Sequence, residues 1–147
     1  MNLHVIILAA GKGSRMKSAT PKVLHSIAGV PMLHRVMSIA KRLAPEQMHL
    51  VLGHGIEAIQ DTLAEQWSST NIVRQPEQLG TGHAVNIALE HVPNDGISLI
   101  LCGDVPLITA ETREGCVASA RAGELGVVTA NMSDPAPLGR ILRDETD

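Results

Sequence analysis

Gly11-Lys12-Gly13-Ser14-Arg15, with Lys22 shortly after it, is the densest collection of chemistry-bearing residues near the start of this chain. Two glycines one residue apart let the main chain approach a ligand closely, because no Cβ intervenes. Consecutive N–H groups in such a turn form an anion-binding concavity. Arg15 and Lys22 add fixed positive charge, and an arginine can grip two phosphate oxygens at once. The segment from Leu8 to Lys22, LAAGKGSRMKSATPK, therefore reads as a phosphate-binding loop. The plainer alternative is that the glycines only make a tight strand-to-helix turn.

Two better-known glycine loops are excluded. The dinucleotide fingerprint needs G-x-G-x-x-G, and residue 16 is Met. The P-loop needs a glycine five residues before a Gly-Lys-Ser/Thr triplet; here Lys12 is followed by Gly13, and residue 6 is Ile.

The elements that must position this loop follow from hydrophobic periodicity. His4 to Ala10, HVIILAA, is a continuous apolar run stopped by Gly11, which predicts a strand covered on both faces. Pro31 can open a helix in which Met32, Leu33, Val36, Met37, Ala40 and Leu43 recur at helical spacing. Residues 49–52 form a second strand, Ile56, Ile59 and Leu63 mark a second helix, and 71–74 form a third strand. A loop over 75–80 precedes a helix from about Gly82 to His91, and 97–102 is the next strand. Thr109 can cap a helix running to about Arg121. Residues 125–131, LGVVTAN, predict another strand, 134–137 a turn, and Arg140 to Arg143 the beginning of a further strand.

Strands alternating with helices predict an α/β, Rossmann-like fold: a mostly parallel sheet with helices on both faces. Ligands in such sheets bind beyond the carboxyl ends of the strands. The loops 11–22, 75–81 and 103–107 all follow strands, so they are expected to meet in one place.

Composition narrows the function classes. The 147 residues read as one domain, with 44% apolar and 18% charged residues, as in a globular protein. A net charge of −3 gives no nucleic-acid footprint, and one Trp with no Tyr or Phe leaves almost nothing to stack bases on. Only Cys102 and Cys116 are present, without a CxxC pair, which argues against a disulfide scaffold or zinc ribbon and for a reducing, cytoplasmic setting. No apolar run reaches the length of a membrane span. The N-terminus lacks the basic region of a signal peptide. Seven histidines include no HxH or HxxxH pair, so a histidine-based site is not favoured; His25 and His83 are expected only to pack, while His54 can line the cleft.

LAAGKGSRM followed by PKVLH resembles the signature of sugar-nucleotide pyrophosphorylases. Gln75-Pro76-Glu77-Gln78-Leu79-Gly80-Thr81-Gly82-His83-Ala84 resembles a uracil-binding loop, and Leu101-Cys102-Gly103-Asp104-Val105-Pro106-Leu107 a metal-binding loop. Together these segments are similar to the uridyltransferase domain of the bacterial bifunctional N-acetylglucosamine-1-phosphate uridyltransferase / glucosamine-1-phosphate acetyltransferases. The similarity runs through essentially the whole chain, including Gly139-Arg140.

The resemblance implies a nucleotide-diphospho-sugar transferase fold, truncated at the C-terminus, and a Mg²⁺-dependent reaction serving cell-envelope precursor synthesis. UTP and N-acetylglucosamine 1-phosphate would give UDP-N-acetylglucosamine and pyrophosphate. It implies nucleotide contacts from Leu8, Ala9, Ala10, Gly11, Gly13, Lys22, Gln75, Gly80, Thr81 and Gly103, a sugar contact from Gly139, and a metal ligand in Asp104. Arg15 would bind the departing β/γ-phosphates, and Lys22 would steady the charge developing at the α-phosphate.

Each matched residue has its own chemical reason. The Gln75 amide carries both a donor and an acceptor, which suits the edge of a uracil ring. Gly80 and Thr81 can offer a close backbone and a hydroxyl to the same base. A carboxylate such as Asp104, just past an apolar strand, is costly unless paired or holding a cation, and Mg²⁺ takes one or two carboxylates plus substrate phosphates. Plainer readings are an ordinary loop glutamine for Gln75 and a turn or capping residue for Asp104. Cys102 is expected to be a small buried hydrophobe, not a nucleophile.

Residues 1–147 are thus expected to be the N-terminal portion of a sugar nucleotidyltransferase domain. By the resemblance, a second metal ligand, the sugar-gripping residues and the β-helix acetyltransferase domain that makes the family's trimer are expected to lie outside these residues. The expectation is a monomer or weak self-association, with no nucleic-acid or membrane partner and weak uridine-nucleotide binding with little or no turnover. Alternatives are a pyrophosphorylase for another nucleoside triphosphate, a non-catalytic nucleotide-binding module, or a structural fragment.

Overall fold

The computed structural model describes residues 1–11, 13, 16–63, 65–134 and 139–142. Four parallel strands form the sheet: β1 (Leu3–Leu8), β4 (Gln47–Leu52), β5 (Asn71–Arg74) and β6 (Ile97–Cys102), in the order β5-β4-β1-β6. Between β1 and β4 lie a short antiparallel hairpin of β2 (Ser26–Ile27) and β3 (Val30–Pro31) and helix α1 (Met32–Arg42). The remaining helices are α2 (Ile56–Gln60), α3 (Thr81–Leu89) and α4 (Ala110–Arg121). The expected α/β architecture is the one observed.

Strand β1 is central and buried on both faces, as its unbroken apolar run requires. Leu3, Val5 and Ile7 pack toward α1, α2 and α4, while Ile6 packs with Val51, Val73 and the α3 residues Ala84 and Ala88. Helix α1 turns Leu33, Val36, Met37 and Ala40 to the sheet, all fully buried. Burial of the three larger side chains contributes about 1.5–3 kcal/mol each. Small alanines on α3 let that helix lie close over the opposite face. Thr109 caps α4 as expected, its side chain accepting from the Thr112 N–H.

The strand ends are in step. Leu8 pairs with Val51 and with Cys102, and Leu52 with Arg74. Backbone bonds carry the ladder past them: Ala9 N–H to Val51 O (2.9 Å), Gln75 N–H to Leu52 O (2.7 Å) and Gly103 N–H to Leu8 O (2.9 Å). Three loops therefore leave the sheet at one level, anchored where they begin.

The expected strand at 125–131 does not form. Its alternating pattern suits a sheet face, but Gly126 is seated against α4, where an added Cβ would lie 2.8 Å from Cys116 Cα. That contact holds the segment on the helix, and Leu125, Val127 and Val128 remain exposed. Among the described residues no strand pairs with the outer edge of β6. Nor do Arg140, Ile141 and Leu142 form a strand; Ile141 and Leu142 are exposed. Arg143 and most of the expected 134–137 turn lie outside the described residues. No helix among the described residues is long and apolar enough to cross a membrane.

Candidate active site

Beyond the carboxyl ends of β1, β5 and β6 lies a cleft of about 420 Å³. Leu8, Ala9, Ala10, Gly11 and Lys22 line it from the first loop; Gln75, Gly80 and Thr81 from the second; Asp104 from the third. The three loops expected to meet do so. Gln78 and Cys102 also line it, as do Val23 and Ala84. Gln78 sits inside the quoted QPEQLGTG motif, yet its residue type alone gave no reason to single it out.

Gly13 supports Lys22 from behind. Its φ of +60° is left-handed, and a Cβ there would fall 2.7 Å from Lys22 Cβ. Gly80, just ahead of α3, has φ +103°, a backbone that side-chain-bearing residues rarely adopt. Gly103 is buried and held to Leu8 through its N–H. Arg15 lies outside the described residues. Gly139 is exposed, a Cβ on it would meet nothing within 4 Å, and it is not part of the cleft lining.

Lys22 Nζ donates to Asp104 Oδ2 across the cleft. Both side chains remain partly exposed, at 41% and 30%. Pairs in that setting contribute little to stability, with a median near 0–1 kcal/mol. The pair places a cation and a carboxylate together in the cleft.

Gln75 is buried at 3% exposure, unlike an ordinary loop glutamine. Its Nε2 donates to His83 Nδ1 at 3.0 Å and, at a longer 3.4 Å, to Gly80 O. His83 thus does more than pack. His54 is exposed and not part of the cleft lining.

Cys102 corrects an expectation: it is exposed, not buried. β6 is an edge strand, so side chains such as those of Ile100 and Cys102 stay open. Local desolvation, and then the Asp104 carboxylate, push its thiol above the usual range, with Lys22 acting oppositely. A thiol held protonated is a poor nucleophile, in keeping with the role denied to it.

A second cavity, of about 440 Å³, lies beside the outer edge of β6, lined by Leu99, Leu101, Val117, Val127 and Arg113 among others. It is mostly apolar and shares Cys102 with the cleft. Among the described residues no group of three or more His, Cys, Asp or Glu side chains is placed to hold a metal by itself.

The family model of the MobA-like NTP transferase domain matches residues 5–144. Over 143 residues the chain is 50% identical to the bifunctional protein GlmU of Marinobacter nauticus, covering 97% of this chain. It spans 31% of that protein's length, in its N-terminal part. The crystal structure of Rv0371c from Mycobacterium tuberculosis H37Rv superposes with a TM-score of 0.71 at 23% identity, covering 82% of this chain and 61% of that one. The structure of Rv0371c in complex with manganese gives 0.69 at 20% identity, covering 83% and 61%. At these identities the structural likeness is one of fold alone. The match across nearly the whole sequence is decisive, and the chain belongs to the family of MobA-like NTP transferase domains, nucleotidyltransferases by class.

Proposed function

We propose that this chain binds UTP in the cleft between its three loops and is the nucleotide-binding portion of an N-acetylglucosamine-1-phosphate uridyltransferase. The observation that carries the reading is the convergence of Lys22, Gln75 and Asp104 in one cleft at the carboxyl end of the sheet. A phosphate-binding loop, a buried amide and a carboxylate paired to a movable cation are the parts that a nucleoside triphosphate requires. Half-identity to GlmU proteins supports the choice of nucleotide and sugar.

The reaction is an in-line displacement: the phosphate oxygen of the sugar phosphate attacks the α-phosphorus of UTP, and pyrophosphate leaves. Its demands are positioning and charge neutralisation. Leu8 to Gly11 and Gly13 give the triphosphate main-chain contact. Arg15, by resemblance, grips the β/γ-phosphates. Lys22 exchanges its Asp104 partner for phosphate oxygens and steadies the charge that grows near the α-phosphorus. Gln75, Gly80 and Thr81 hold the base, and Gly103 keeps the third loop against β1.

Asp104 fits a Mg²⁺ site. It is a hard oxygen donor whose observed partner is a cation, and a single carboxylate suffices when substrate phosphates complete the shell. A magnesium ion bound there supplies neutralisation of phosphate charge. Rv0371c, of the same fold, has been crystallised with manganese, which supports a divalent ion in this architecture. The chemistry proposed is that of a cytoplasmic enzyme.

A second reading, nucleotide binding without turnover, is favoured by one observation: Gly139, the residue singled out for the sugar, is not part of the cleft lining. Pyrophosphate release with UTP, Mg²⁺ and N-acetylglucosamine 1-phosphate separates the two. UTP binding with little or no release from this chain is the expected result. Robust release assigns it the full reaction, and absence of any UTP binding overturns both readings.

A further inference from the structure

The orientation of the Gln75 amide is fixed by its surroundings. Gly80 O can only accept, so the arm of the amide facing it must be the NH₂ group. The same NH₂ reaches His83 Nδ1 at 3.0 Å, so that nitrogen must be the unprotonated acceptor and the ring proton sits on Nε2. Both donor hydrogens of Gln75 are then committed within the protein, and the other arm, Oε1, is what this side chain has left for a ligand. Gln75 is almost fully buried, and it lines the cleft.

We propose that His83 is a positioning residue that sets pyrimidine selectivity by holding Gln75 with its amide oxygen as the acceptor presented to the base. This deepens the uridine reading and rests on it. Uracil carries an N–H at ring position 3, which an amide oxygen accepts. Cytosine carries a lone pair there and would set acceptor against acceptor. Without the His83 acceptor only the longer 3.4 Å contact to Gly80 O holds the amide, so it can turn over, offer its NH₂ instead, and receive either base. His83 sits in the first turn of α3, so the helix that closes the second loop also carries this selectivity.

The test has two arms. In ¹⁵N-labelled protein, His83 Nδ1 should give the signal of an unprotonated ring nitrogen, with the proton on Nε2. Protonation at Nδ1 overturns the proposal and leaves the uridine reading intact. The second arm compares UTP and CTP affinities with Mg²⁺ present. The unaltered chain should prefer UTP. His83→Leu should lower that preference about tenfold, the worth of one buried hydrogen bond. His83→Asn, whose amide oxygen replaces the Nδ1 acceptor, should keep the preference within about threefold of the unaltered chain. A folded His83→Leu variant that binds UTP with an unchanged preference, or a His83→Asn variant that loses it, sinks the proposal. If His83→Leu does not fold, the nitrogen signal and the Asn variant still decide. No UTP preference in the unaltered chain overturns the uridine reading and the proposal together.

Discussion

Lys22 and Asp104, 82 residues apart in sequence, meet as an ion pair in the cleft. Each is thereby the other's competitor for a ligand: a phosphate must draw off Lys22, and a divalent cation must displace it from Asp104. Removing Lys22 is therefore expected to have opposite effects on the two. Lys22→Ala should weaken UTP binding at least about tenfold, near 1.4 kcal/mol. It should also tighten binding of Mn²⁺ alone, read by electron paramagnetic resonance. Weakening of both would mean that the lysine does not compete for the carboxylate. Arg15→Ala should likewise weaken UTP binding at least about tenfold, and near-normal binding in either variant refutes the assigned roles.

Gly13 is the part of the first loop least tolerant of a side chain. An alanine would carry the left-handed strain of about 1–2 kcal/mol and push against Lys22 Cβ at 2.7 Å. Gly13→Ala should lower the urea midpoint and cost UTP affinity. Gly11→Ala, with nothing within 4 Å of an added Cβ, should leave the midpoint nearly unchanged. Equal midpoint losses from the two substitutions would contradict the described loop.

Most of the architecture was legible because it is local. The apolar run of β1 and the stripe Leu33, Val36, Met37 and Ala40 each specify one element, and the observed bounds differ from expectation by a few residues. Convergence of the loops followed from parallel topology alone. What escaped depends on neighbours distant in sequence. The apolar alternation in 125–131 says which residues can face a sheet, and not that Gly126 will be claimed by α4. Cys102 reads in sequence as a small buried hydrophobe, yet β6 is an edge strand and leaves it exposed. The Gln75–His83 bond depends on where α3 begins, and Thr81 starts it slightly earlier than its pattern indicated.

Acid should destabilise the fold through His49. It is buried, its Nδ1 faces the Asn71 side chain, and its Nε2 lies 3.5 Å from His4 Nδ1. Desolvation first, then His4 and His91, hold its pKa below 6.5. With the folded value depressed, the unfolded chain binds more protons at low pH. Stability is then fully present above the unfolded value and falls as pH drops below about 6.5, by at most about 1.4 kcal/mol per pH unit for this group. His34, lowered by burial, acts in the same direction. Urea unfolding at pH 7.5 and 5.5 measures the loss, and His49→Gln should shrink it. An identical loss in that variant would assign the effect elsewhere.

Arg113 offers the opposite opportunity, a substitution that should stabilise. Its side chain lines the apolar cavity beside β6 and is 2% exposed, and its Nε and Nη1 are buried without a hydrogen-bond partner among the described residues. Desolvation lowers its pKa, but a guanidinium scarcely gives up its proton, so the cost of burying the charge is borne by the fold. α4 nevertheless buries this position, because residue 113 lies one turn before Val117 on the helix face that packs on the sheet. Arg113→Met keeps the length of the side chain and removes both the charge and the orphaned donors. Replacing buried charges by apolar residues of similar volume is neutral to stabilising, by up to about 1–4 kcal/mol. The variant should therefore unfold at higher urea than the parent, with UTP affinity unchanged because Arg113 is not part of the cleft lining. A lower urea midpoint would show that the guanidinium is satisfied by a partner in solution.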